Sequence, residues 1–102
     1  MNEYEIKEME ELTDDAKTIA EHSRLILTYR QTGFLNREEA IRKYKEYNTK
    51  HQEYCAGIEV SRMTGAHVIP LEQMSDPDIV ANLNRQLMYI GGKNLLEGLN
   101  HA

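Results

Sequence analysis

A single cysteine, Cys55, in 102 residues leaves no partner for an internal disulfide, which excludes a small secreted scaffold stapled by disulfides. No apolar run approaches the length that spans a bilayer. The start, Met1-Asn2-Glu3-Tyr4-Glu5, is acidic where an export signal would be basic and then apolar, so a cytoplasmic, membrane-free protein is expected. Basic charge is also in short supply. A formal net charge of −5 argues against nucleic-acid binding, which draws on counterion release at a cationic surface.

Chemical motifs are scarce too. His51 and Cys55 lie one helical turn apart, with His67 a little further on, but a structural zinc site wants four ligands in tight pairs and no such spacing is present. A Cys-His nucleophilic pair needs an electropositive setting and an orienting third group, and neither is evident around Cys55. Gly91-Gly92-Lys93 lacks the longer glycine pattern of a phosphate-cradling loop. No metal, no cofactor and no enzymatic activity are expected.

What is present is architecture. The composition, 28% charged and 40% hydrophobic, belongs to a globular chain, and 102 residues form one domain, 1–102, with a modest core. The most informative stretch is Gln31-Thr32-Gly33-Phe34-Leu35-Asn36-Arg37-Glu38-Glu39. Gly33 can adopt the left-handed conformation that ends a helix, and Asn36 with Glu39 makes a capping box that opens the next. A long antiparallel helical hairpin follows.

The first helix is read as starting at Asn2, where Asn2 and Glu5 make another capping box, or as restarting at Thr13-Asp14-Asp15. Its apolar face is read as Met9, Leu12, Ala16, Ile19, Ser23, Ile26 and Arg30, with Ala20 and Leu27 alongside. The second helix repeats the rhythm with Ile41, Tyr44, Asn48, His51, Cys55 and Ile58 and should stop near Gly65. Pro70 bars a helix through Ala66-His67-Val68-Ile69-Pro70, and Ser75-Asp76-Pro77-Asp78 is a strong helix opening. Gly91-Gly92 should break that third helix ahead of Leu95, Leu96 and Leu99. The expected fold is all-α: a hairpin over about 2–31 and 37–64, a shorter helix over about 76–90, and a short C-terminal helical tail.

A third helix of roughly 20 Å cannot cover a hairpin of about 40 Å, so apolar surface should stay open and mark self-association. Ser23, Asn48 and His51 at seam-like positions fit that reading, because a buried polar group fixes register between helices. Charge is segregated as well. Seven acids from Glu3 to Asp15 face a single Lys7, whereas Arg37, Arg42, Lys43, Lys45 and Lys50 gather on the second helix beside Tyr44 and Tyr47. The bland reading of the basic stretch is a solvated face, since Glu38, Glu39 and Glu46 each precede a cation by four residues.

The sequence thus points to a non-enzymatic, self-associating interaction module, a small regulator or inhibitor of a macromolecular partner. Tyr44, Tyr47, His51 and Tyr54 are its candidate contact surface. The alternative is an oligomeric binder of a small anionic, nucleotide-like ligand through Arg37, Arg42, Lys43 and Lys45. Nucleic acid ranks behind both.

Overall fold

The computed structural model describes residues 2–52 and 69–100, with side chains as far as Lys93. Helix α1 spans Glu3–Thr32, α2 spans Arg37–Lys50, and α3 spans Asp76–Asn100, with one 3-10 turn, Leu71–Gln73, ahead of α3. The described residues are all-helical in these elements, and none of the helices is long and apolar enough to cross a membrane.

Local chemistry explains the boundaries. Asn2 accepts a hydrogen bond from the Glu5 amide at 2.9 Å and starts α1, so the longer of the two starts is the one adopted. Gly33, at φ 73°, ends it, its amide donating to the Tyr29 carbonyl at 2.7 Å. Asn36 then accepts from the Glu39 amide at 3.2 Å and opens α2. Ahead of α3, the Ser75 hydroxyl donates to the Asp78 carboxylate at 3.0 Å.

Two expected boundaries differ. α2 ends at Lys50, where His51 departs from helical geometry at φ −121° and ψ 51°, and the remainder of the expected helix, with Tyr54 and Cys55, lies outside the described residues, as does His67. The expected break at Gly91-Gly92 does not occur, and α3 runs through both glycines to Asn100. Two helical glycines cost about 1 kcal/mol each relative to alanine. Anchors on either side offset that cost: Ile90 is fully buried, and Lys93 reaches toward Asp15 on α1.

α2 and α3 both run antiparallel to α1. Arg37 pairs with Asp76 at the start of both, at 2.7 Å, and Asn48 accepts from Gln86 further along, at 2.7 Å, so the two are parallel to each other. The main core joins Leu25 and Ile26 of α1, Leu35 of the turn, Ala40 and Tyr44 of α2, and Ile79, Val80 and Leu83 of α3. A smaller cluster of Tyr47 and Ile90, with Ile19 against it, continues the interior toward Asp15.

The face of α1 that enters this core is Asp15, His22, Leu25 and Ile26. It is not the face the apolar periodicity selects, which shares with it only Ile26 and the half-buried Ile19. The reason is that α1 carries two overlapping stripes, and the polar side chains of Asp15 and His22 disguise the inward one.

The glycines give a test of this geometry. A Cβ added at Gly91 or Gly92 meets nothing within 4 Å, so alanine at either should stabilise the chain by roughly 0.5–1 kcal/mol in urea unfolding. Gly33→Ala, although equally uncrowded, should destabilise by about 1–2 kcal/mol because φ there is 73°. Loss of stability at Gly91 or Gly92 would show that α3 is interrupted after all.

Candidate functional site

The tyrosines expected to form a contact surface point inward. Tyr44 is 6% exposed and Tyr47 5%, both packed between α1 and α3, so in this arrangement their rings are core rather than interface. The amphipathic face of α2 was legible, but the turn of the hairpin directs it at the chain's own helices. His51 stacks obliquely on Tyr47 at 4.5 Å between ring centroids and is largely covered.

Three of the four basic residues, Arg37, Lys43 and Lys45, are paired with acids of the same chain. Arg37 donates to Asp76 and also to the carbonyls of Glu72 and Met74, which turns it into a clamp between α2 and the segment before α3. Lys43 lies 3.0 Å from Glu21 and 3.5 Å from Glu46, and those carboxylates raise its pKa. Lys45 pairs with Glu72, whose carboxyl is held below its ordinary pKa by that lysine. Arg42 is exposed and lines an open groove of about 730 Å³ with Ile41, Lys45, Thr49 and Lys50, but Glu38, Glu46 and Glu72 line it too. Its walls therefore carry both signs, and the four cations expected to grip an anion form no undivided positive surface.

A buried polar cluster joins the seam-like Asn48 and His51 to Asp15, His22, Gln86 and Lys93, which carry no such signal in the sequence. Asp15 lies 3.5 Å from His51 Nε2 and 3.7 Å from Lys93 Nζ at the junction of α1, α2 and α3, both long for hydrogen bonds, and the His51 contact is an ion pair only when the imidazole is protonated. Gln86 donates from α3 to the Tyr44 carbonyl at 3.0 Å and to Asn48 at 2.7 Å. His22 is 0% exposed, meets the edge of Tyr47 at 6.4 Å, and has no hydrogen-bond partner at either ring nitrogen among the described residues. Burial drives its pKa down from 6.5 to about 4, Glu21 opposing the shift and Lys43 adding to it. His51 is also lowered, chiefly by burial and then by Lys93, against the pull of Asp15. Among the described residues no group of three His, Cys, Asp or Glu side chains can hold a metal ion. With His22 sealed from solvent, the cluster has the character of an interior joint.

The other distinctive feature is outside. Along α1, Met9, Leu12, Ala16, Ala20, Ser23 and Leu27 are all exposed, Met9 by 55%, Leu12 by 48% and Leu27 by 55%. At about 100° per residue they fall within an arc of about 80°, centred roughly 130° around the helix from the buried set. This is the second stripe of α1, and no described helix covers it. Tyr4, Ile6, Phe34, Ile69, Met88 and Tyr89 are exposed large hydrophobic side chains as well, outside this row.

No protein-family model matches the chain, and comparison with curated proteins and with solved structures finds no significant match.

The buried histidine makes a pH test. The unfolded chain protonates His22 near pH 6.5 and the folded chain only near 4, so stability is intact above 6.5 and falls as pH drops through that window, by about 3 kcal/mol in all. His22→Met should leave stability at neutral pH equal or higher, since it removes an unsatisfied buried imidazole, and should flatten the decline between pH 6.5 and 4. Urea titrations at several pH values read both effects. An unchanged pH profile would mean that His22 titrates alike in the folded and unfolded chains, so that burial does not disfavour its charged form.

Proposed function

We propose that this chain is a non-enzymatic helical interaction module that self-associates and uses the outer face of α1 as its contact surface, leaving the rest of the bundle for a macromolecular partner that it regulates. The observation that carries this reading is the exposed row from Met9 to Leu27, on a helix whose inward stripe already serves the core. Contiguous exposed apolar surface of this kind is characteristic of interaction sites, whereas single exposed apolar residues are ordinary.

The charge pattern supports the same reading. Arg37, Lys43 and Lys45 hold carboxylates of the same chain, which favours a structural duty for the basic stretch over capture of an anionic ligand. The Asp15 and His22 region contributes rigidity at the helix junction, a reading supported by its burial.

Light scattering on a size-exclusion column, from micromolar to millimolar protein, tests the proposal. The wild-type mass should rise above 11.8 kDa with concentration. Leu12→Glu with Leu27→Glu should hold it at the monomer value with unchanged helical circular dichroism, because both side chains are exposed in the single chain. A wild-type monomer at every concentration would refute the self-associating module.

A further inference from the structure

Building on the proposed module, we infer that its partner on the α1 face is a second copy of the same chain, docked antiparallel about a two-fold axis that passes between Ala16 and Ala20.

The exposed row reads nearly the same in both directions. Reversing one copy against another sets Met9 opposite Leu27, Leu12 opposite the small Ser23 and Ala16 opposite Ala20, each pairing occurring twice by symmetry. Such self-complementarity is what an isologous interface requires. At the centre the alanines let the helix axes approach toward the short end of the usual 8–10 Å range. The larger Met9, Leu12 and Leu27 then close the flanks.

Charge selects the orientation. The row continues by one more helical step at each end, to Glu5 and to Arg30, both exposed and of opposite sign. Antiparallel docking places each Glu5 against the partner copy's Arg30, two attractive contacts, whereas parallel docking would set Glu5 on Glu5 and Arg30 on Arg30. The wider distribution agrees, since seven acids lie between Glu3 and Asp15 whereas Arg30 and Arg24, the latter already paired with Glu39, lie in the second half of α1. From Glu5 to Arg30 the contact extends about 37 Å along helices roughly 10 Å wide. A footprint of about 370 Å² per copy, roughly 740 Å² in all, falls short of a standard specific interface, so the pair is weak and forms reversibly at high concentration.

Charge reversal at the ends tests the orientation separately from self-association. Glu5→Arg alone, or Arg30→Glu alone, converts two attractive contacts into two repulsive ones and should weaken the dimer roughly tenfold at low salt. The double variant E5R/R30E restores both attractions and should recover wild-type dimerisation. An equimolar mixture of the two single variants should form a heterodimer tighter than either self-pair, and added salt should shrink all these differences. Thermal unfolding of each variant at low concentration monitors the monomer independently. A wild-type dimer that Leu12→Glu abolishes but neither charge reversal weakens would overturn the antiparallel pairing and leave the module standing. A wild-type chain that never dimerises would remove both.

Discussion

One thirty-residue helix has to serve two surfaces at once, and the remaining features of the molecule follow from that constraint. α1 is about 45 Å long, α2 about 21 Å and α3 about 37 Å. Burial on α1 begins only at Asp15, and every residue from Asn2 to Asp14 is exposed. What lies C-terminal to Asp15 is shared between an inward stripe that meets α2 and α3 and an outward stripe that meets solvent. The inward stripe mixes the apolar Leu25 and Ile26 with the polar Asp15 and His22, while the outward one leaves Leu27 and the small Ala16 and Ala20 in solvent, so the two faces are less sharply divided than on a usual surface helix.

That mixing has an energetic consequence. A core built on Asp15, His22, Asn82 and Gln86 as well as on Leu25, Ile79, Leu83 and Ile90 gains less from apolar burial than a uniformly hydrophobic one. Some of its polar atoms are satisfied, as in the Gln86 bridge, and others, such as the ring nitrogens of His22, have no hydrogen-bond partner among the described residues. Polar contacts at a helix junction fix which residues face each other, at some loss of stability. Covering the outer stripe would restore apolar burial that the single chain lacks.

The helical boundaries that depend on short-range chemistry were legible: Asn2, Gly33 and Asn36 each act within three or four residues, and each does in the structure what its type implies. The continuity of α3 was not, because whether Gly91-Gly92 breaks a helix depends on the distant contacts of Ile90 and Lys93. The face of α1 was misread for a related reason. Periodicity reports which positions are apolar, and the Met9 to Leu27 row is the cleaner apolar stripe, yet burial went to the stripe containing Asp15 and His22. Tyr44 and Tyr47 illustrate the reverse case, being read as surface anchors from their amphipathic chemistry and found inside because α3 packs over them. Asn48 was recognised as a seam residue, but its Gln86 partner, 38 positions away, carries no local signal.

Methyl-resolved NMR across a concentration series addresses the central claim most directly, since it reports which face of α1 meets another molecule. The methyl signals of Met9, Leu12 and Leu27 should move together with a common midpoint as concentration rises, while those of Leu25, Ile79 and Leu83 hold their positions. Shifts confined to α2, or no dependence on concentration at any methyl of α1, would contradict the account.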